Sequence, residues 1–531
     1  DNNFTYAVDL GTSYTYITRR NVDNNTAPTQ LEMDSLMMMP LHAESGNRQL
    51  PLVERWEQTP FREAMRYFIS EFTPTLVDGK RYKFPLRTAL LRTEGTVGKS
   101  SLFDTHNIAF GYGRVPTTGD NKVSTQLKWN DGEMEDVRIF IRELLMIIRN
   151  DALQQGCDLG KIKLCWTYPL SFDANTKRQF ESVWNEEAKK VVGISADRIA
   201  TCSESMAPYY YFNALDKLKS VQSAVVVDIG GGTTDYVYFA NNKPLLASSI
   251  RLGCDAIWGT GYSKVANDRG KNGLYRHLVD RIAVDGDELK EINNRMTGEG
   301  STVPTVDVFN FWISAGDKLK VDGTRNLPSV FRKEARHVFV YHLCTILYTI
   351  AITLKKEGHN PPRELLMCGG GSKYIDNFID ADPSRQKRLA KAVFDHVWQK
   401  DTPMPDIHLD GKRKEATGYG ALYTETDRLP NVCFIDEYVA TEVMNRTEEV
   451  TAQLRDMNSL YVKMLQVFDD SVDVDNLSIV LEDGITDAVE KTLRGQVLER
   501  ANKQKNYNGT LLTIPALDRL ISLTHTLTHA R

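Results

Sequence analysis

Asp9 and Asp228 each close an apolar, β-prone run, and each is followed by a glycine turn and hydroxyl residues. The first stretch reads Val8-Asp9-Leu10-Gly11-Thr12-Ser13-Tyr14-Thr15. The second reads Val225-Val226-Val227-Asp228-Ile229-Gly230-Gly231-Gly232-Thr233-Thr234-Asp235-Tyr236. Glycine lacks the Cβ that blocks close backbone approach, so the N–H groups of such a turn can face phosphate oxygens, with Thr12, Ser13 and Thr233 adding hydroxyl donors. A carboxylate does not bind phosphate directly. Two aspartates beside a polyphosphate make sense when a hydrated Mg²⁺ lies between them, because Mg²⁺ keeps several waters and is held by one or two carboxylates plus the phosphates. A lone glycine turn after an apolar strand is as readily a plain hairpin. Two copies built alike, about 220 residues apart, weigh against that reading.

Further segments extend the pattern. Residues 161–169 read as a strand ending in Pro169, and residues 174–190 have helical composition. Residues 197–211 carry Glu204 ahead of an aromatic-rich helix. Residues 364–375 form an apolar strand that opens into Gly369-Gly370-Gly371 and Ser372, a turn that either admits a flat ring close to the backbone or joins a strand to a helix. Residues 416–422, Ala416-Thr417-Gly418-Tyr419-Gly420-Ala421-Leu422, make a small-faced helix that a second helix can cross closely.

On these residues the chain resembles the actin, heat-shock chaperone and sugar kinase ATPase superfamily over about residues 4–424, most nearly the chaperone nucleotide-binding domain. The resemblance implies a two-lobed α/β fold of duplicated ribonuclease-H-like domains, binding ATP or ADP with Mg²⁺ in the cleft between lobes. It implies that Gly11, Thr12, Ser13 and Gly230, Gly231, Gly232, Thr233 hold phosphates, and that Asp9 and Asp228 order the water shell of the metal. Glu204 falls on the family glutamate that orients water, with Ser205 in place of the usual proline; Thr233 and Asp228 complete the catalytic set. Gly369, Gly370, Gly371 and Ser372 match the adenosine motif. Residues 315–320, at the end of a helix expected over 307–320, can be laid on a chaperone pattern that puts Asp317 at the ribose and Lys320 at the base, although the residues themselves read more simply as an exposed charged helix face. Arg251-Leu252-Gly253-Cys254-Asp255 partly fits the Leu-Gly-Gly-x-Asp that follows the second phosphate turn. Arg81, Lys83 or Arg87 would supply the cation that chaperones aim at the γ-phosphate.

The expected lobes are residues 1–215, with a peripheral subdomain at about 31–135, and 216–425, with a helix-rich one at about 262–355. The segment 216–222 crosses from one lobe to the other. Residues 133–155 read as an amphipathic helix. An α-helical extension at 426–531 is expected to hold helices at 442–468, 485–503 and 516–528. Neither the β-sandwich nor the apolar linker of the peptide chaperones follows the nucleotide-binding region, so the extension is read as a docking or assembly element. Gly95-Thr96-Val97-Gly98-Lys99-Ser100 imitates the end of a Walker A loop, but Thr93 stands where its first glycine is required.

Composition fits this plan. At 531 residues, 41% apolar and 25% charged, the chain can bury several cores, and a net charge of −5 argues against a surface that coats nucleic acid. Seven scattered cysteines without a CxxC pair suggest neither a disulfide framework nor a thiolate zinc site, and point to a reducing cytoplasm. The apolar stretch 338–354 is shorter than a membrane span needs and reads as a buried helix of the second lobe. The leading functional expectation is a slow, chaperone-like ATPase that acts as a nucleotide-dependent switch on protein partners. A self-assembling, actin-like filament ATPase comes second. A small-molecule kinase comes third, disfavoured because no acceptor base is marked, and a scaffold that binds nucleotide without turnover comes last.

Overall fold

The strand that leads into each glycine turn buries residues on both faces, which places it inside a sheet covered on both sides. The computed structural model describes residues 3–32, 71–72, 84–92, 100–105, 107–114, 122–125, 127–129, 134–215, 222–241, 243–250, 252–259, 273–409, 411–424, 430–432, 447–468, 478 and 481–482. The chain divides into two units. One is Asp1–Ala214 with Glu288–Ser301 and Glu415–Arg428; the other is Leu215–Asp287 with Thr302–Lys414 and Leu429–Arg531.

In the first unit β1 (Phe4–Leu10) and β2 (Tyr14–Asn21) form an antiparallel hairpin in register from Phe4↔Asn21 to Leu10↔Thr15. Two short strands, β3 (Thr29–Gln30) and β4 (Leu86–Arg87), pair antiparallel with β2. On the other side, β5 (Lys163–Tyr168) runs parallel to β1 and β6 (Ile199–Ser203) parallel to β5, giving the order β6-β5-β1-β2-β3. The helix Met134–Gln154 leads into β5. The helix Ala174–Val191 joins β5 to β6, started by the Asp173 carboxylate accepting from the Thr176 amide at 2.7 Å.

The second unit repeats this plan. There β7 (Ser223–Ile229) and β8 (Thr234–Ala240) form the hairpin, β9 (Lys243–Ile250) extends it, and β10 (Glu364–Cys368) and β11 (Asp406–Leu409) follow in parallel on the other side of β7. The order is β11-β10-β7-β8-β9, with β12 (Asn431–Val432) added at the edge. A helix again leads into the fourth strand, Arg336–Lys356, and another, Pro383–Trp398, joins the fourth to the fifth. Two sheets of one order, with helices at matching crossovers, make the duplicated α/β architecture that the resemblance implies.

Glycine is required where helices meet. In the first unit Ala416–Ala421 crosses Met206–Ala214 so closely that a Cβ on Gly420 would collide with the Ala207 carbonyl. Thr18 Oγ1 donates to Gly418 O at 2.9 Å, tying that small-faced helix to β2.

Several sequence expectations change or lie outside the described residues. The helix expected over 307–320 ends at Ala315, because Gly316 turns left-handed at φ 55° and Leu319 and Val321 bury alternate positions of a short strand, Leu319–Val321, paired with Ile282–Val284. Of the first peripheral subdomain, the described part includes a four-stranded sheet of Glu71–Phe72, Ser100–Leu102, Ala89–Arg92 and Lys122–Thr125 and the helix Ile108–Arg114. Arg81, Lys83, Arg251, Cys433, residues 95–99, the crossing 216–221 and the expected helices 485–503 and 516–528 lie outside the described residues.

The described helix of the extension, Thr447–Phe468, is built into the second unit. Met457, Leu460, Tyr461 and Met464, at helical spacing, bury one face. Tyr461 is fully buried; its hydroxyl donates to His337 O at 2.8 Å and its ring meets Tyr341 edge-on at 5.0 Å. Tyr341 donates to Asn458 Oδ1 (3.1 Å) and Tyr348 to Asp456 Oδ2 (2.7 Å), while His396 Nε2 lies 2.9 Å from Asp456 Oδ1. The helix Arg336–Lys356 that receives it is long and apolar enough to cross a membrane, yet 83% of its apolar window is buried inside the protein.

Tyr461→Ala should therefore destabilise the second unit by about 3–5 kcal/mol, read as early proteolytic release of residues 447–468. Burial alone would raise Asp456, but the hydrogen bonds from Tyr348 and His396 hold it below the usual carboxylate range. A depressed carboxyl adds stability above its unfolded value, near pH 4, and loses it as pH falls through the lower folded value. Docking of this helix should weaken on acidification below about pH 4, and less so in Asp456→Asn.

Candidate functional site

The two glycine turns close in the same way. Gly11 N–H donates to Tyr14 O at 3.1 Å, and Gly230 N–H donates to Thr233 O at 2.8 Å. Glycine is needed at both first positions, since a Cβ on Gly11 would strike the Tyr14 carbonyl and one on Gly230 would sit 3.0 Å from Thr233 O. Asp9 and Asp228 stand two residues ahead, half-buried at the ends of β1 and β7.

What distinguishes these turns from plain hairpins is the fate of their carbonyls. In the first unit Thr88 Oγ1 donates to Gly11 O at 2.8 Å, while Ser13 O accepts from both Thr88 N (3.0 Å) and the buried Arg87 guanidinium (2.8 Å). In the second, Gly230 O accepts from Cys254 N and Gly231 O from Asp255 N, each at 2.9 Å. This approach needs Gly253, whose Cβ would collide with Gly231 O. With the carbonyls held from behind, the amides are left to the other side. Among the described residues the N–H groups of Thr12, Gly231 and Gly232 have no protein acceptor, and all three residues are partly exposed. Thr12 Oγ1 accepts the Trp129 indole N–H at 2.9 Å, which leaves its own proton to be donated elsewhere. Thr233 differs: it is buried and its hydroxyl donates to Asp235 Oδ2 at 2.8 Å, so its oxygen remains as an acceptor rather than a phosphate donor.

The carboxylates occupy distinct settings. Thr167 Oγ1, at the end of β5, donates to Asp9 Oδ1 at 3.1 Å. Asp228 lies against Gly369 at the end of β10, where a Cβ would strike its Oδ1. Among the described residues no cluster of three or more His, Cys, Asp or Glu could cage a metal. Single, half-buried aspartates fit a Mg²⁺ held through water better than a directly ligated ion. Glu204, at the end of β6, is buried and meets Lys128 Nζ with both oxygens, at 2.5 and 2.7 Å.

Lys128 is the residue beside Glu204 that sequence reasoning missed. It lies on a short 3₁₀ turn, Leu127–Trp129, whose next residue engages Thr12. Its signal was a lysine between two large apolar residues in an otherwise polar stretch. Of the three candidate cations, Arg87 is 2% exposed and supports the first turn from behind, while Arg81 and Lys83 lie outside the described residues.

At the third turn Gly369 has φ 78°, and its amide donates to Arg413 O at 2.8 Å. Gly371 N–H donates to Ile229 O at 2.9 Å, and a Cβ there would meet Cys254 Sγ at 2.5 Å. Ser372 Oγ donates back to Gly369 O at 2.8 Å. Gly369 and Gly371 therefore pack this turn onto the strand that carries Asp228. A Cβ on Gly370 would meet only ordinary contact, with the Lys414 stem as its nearest neighbour at 3.4 Å. Asp317 is exposed on a 3₁₀ turn and Lys320 half-buried on a strand, so the two do not share a helix face.

With this geometry established, the two sheets share one strand order, the duplicated α/β plan that the resemblance to actin-like ATPases implies. The Ppx/GppA phosphatase family matches residues 181–304. No curated protein matches the sequence. Among solved structures, the chain is similar to ADP-bound MreB5 of Spiroplasma citri at 12% identity, covering 80% of this chain and 96% of that one, with a TM-score of 0.36. It is also similar to the non-polymerisable quadruple mutant of pCBH ParM (14% identity, 79% and 98% covered, TM-score 0.37) and to a non-polymerising MamK mutant bound to AMPPNP (13%, 79% and 98%, TM-score 0.32).

Lys128→Ala should strand a buried Glu204 carboxylate and destabilise the first unit by about 3–5 kcal/mol. The double variant Lys128→Met, Glu204→Leu should recover most of that loss, measured by chemical denaturation. A single variant as stable as wild type would show that the pair is not formed.

Proposed function

We propose that this chain is an Mg²⁺-dependent ATPase, slow in turnover, that signals its nucleotide state to a protein partner from a reducing cytoplasm. The observation that supports it most is the pair of matching turns whose carbonyls are held from behind and whose Thr12, Gly231 and Gly232 amides lack protein acceptors. Those amides, with the Thr12 hydroxyl, are donors for phosphate oxygens. Asp9 and Asp228 would each hold Mg²⁺ through water rather than by direct ligation. Mg²⁺, when bound, would neutralise phosphate charge as it shifts during transfer. Glu204 accepts a hydrogen bond from an attacking water and holds it in line, and Lys128 fixes that carboxylate and adds positive charge beside it; in the second unit Thr233 offers an acceptor for water. Gly370, between two glycines committed to packing, is the part of the third turn that can lie against adenosine, next to Ser372. The described cysteines are all buried and none forms a disulfide, which suits a reducing compartment.

The family match over residues 181–304 favours a second reading, a phosphatase that acts on another phosphate ester or anhydride with the same turns. Titration of the purified chain with ATP, with and without Mg²⁺, should show binding that falls at least about tenfold in Asp9→Ala and in Asp228→Ala. Phosphate release from ATP and from tripolyphosphate separates the two readings. Folded wild-type protein that binds no ATP at millimolar concentration contradicts the first. ATP-dependent sedimentation would identify the partner as a further copy of this chain.

A further inference from the structure

His342 lies in the middle of the Arg336–Lys356 helix, 1% exposed and flanked by apolar neighbours. Burying an imidazole is unfavourable unless both nitrogens find partners. Here Nε2 is 3.1 Å from Gly253 O and Nδ1 is 2.9 Å from the Tyr374 hydroxyl. A carbonyl can only accept, so Nε2 carries the proton and Nδ1 receives the one from Tyr374. Burial supports the neutral forms on both sides, pushing His342 down to about 4 and Tyr374 well above the usual phenol range. The hydrogen bonds therefore run one way, from Tyr374 through the imidazole to Gly253.

Both ends of this line reach a glycine turn. Gly253 begins the segment whose next two amides, Cys254 and Asp255, hold Gly230 O and Gly231 O. Tyr374 follows the third turn and donates its own amide to Gly371 O at 3.1 Å. Packing alone does not call for a histidine on this apolar helix, since a phenylalanine fills a similar volume and has no polar atoms to satisfy.

We propose that His342 is a positioning residue of the nucleotide site, fixing the Gly253–Asp255 segment, and with it the Gly230–Gly232 turn, against the Gly369–Ser372 turn. Phosphate and adenosine contacts in the second unit are then set by one buried side chain that touches neither. The proposal rests on the ATP reading for its ligand, but the placement of the turns is testable without any ligand.

The experiment compares wild type with His342→Phe, His342→Gln and Tyr374→Phe in the full chain, by ATP titration and by amide hydrogen exchange of the ligand-free protein. Loss of the imidazole donor leaves Gly253 O with only the Ala256 amide, at 3.2 Å, and frees the segment from the helix that carries residue 342. His342→Phe should bind ATP about 10- to 100-fold more weakly. Its amides at 229–233 should exchange faster, while those of the 163–168 strand in the first unit keep their protection. Glutamine retains a donor and an acceptor at the end of a side chain of similar reach, so His342→Gln should return affinity to within about threefold of wild type. Tyr374→Phe keeps the packing, should lose less, and should show its faster exchange at 369–373. Should His342→Phe fail to fold, His342→Gln and Tyr374→Phe still decide the matter. Unchanged exchange at both turns in the folded variants overturns the proposal. Altered exchange in a protein whose wild type binds no ATP would keep the positioning role and discard the nucleotide.

Discussion

A turn can present its amides to a ligand only if its carbonyls are satisfied elsewhere, because each peptide unit points its N–H and C=O in opposite directions. The rest of this structure depends on that constraint. Each unit meets it with a different segment: Arg87 and Thr88 in the first, Cys254 and Asp255 in the second. Both solutions demand close approach. One buries a guanidinium at 2% exposure, and the other requires Gly253, where any side chain would collide with the turn. The glycines of Gly369–Gly371 belong to the same requirement, since two of them press the third turn against the strand that ends in Asp228.

Seen from these turns, the duplicated sheets act as frames. In each, the hairpin strand that delivers the aspartate is central, and the neighbouring parallel strand ends beside that carboxylate: Thr167 at Asp9, Gly369 at Asp228. Functional groups thus gather at the ends of parallel strands, where α/β sheets commonly place ligands. The units diverge beyond that. The first brings a buried Lys128–Glu204 pair and an indole that orients Thr12, while the second brings an imidazole buried behind its turns.

Much of this was legible in the sequence because it is local. An apolar run, an aspartate and a glycine turn encode a hairpin within a dozen residues, and Gly418 and Gly420 mark a close helix crossing. The missed features are of two kinds. Lys128 and Glu204 are 76 positions apart, and neither has a neighbour that predicts the other. Gly316 lies within a charged stretch that keeps helical composition on both sides, so a left-handed break followed by the buried Leu319 and Val321 was hidden. Extension residues 447–468 read correctly as a helix, but its destination depended on the apolar face of a helix more than a hundred positions earlier. The partial Leu-Gly-Gly-x-Asp match also meant more than its residues suggested. The glycine it retains, Gly253, is the one the geometry requires, whereas Cys254 contributes through its backbone amide.

Amide hydrogen exchange on the wild-type chain, with and without Mg²⁺ and a non-hydrolysable ATP analogue, tests the central claim most directly. Protection that appears at residues 10–14 and at 229–234 together is the result predicted. Saturating nucleotide that protects neither turn, or protects residues elsewhere only, would contradict it.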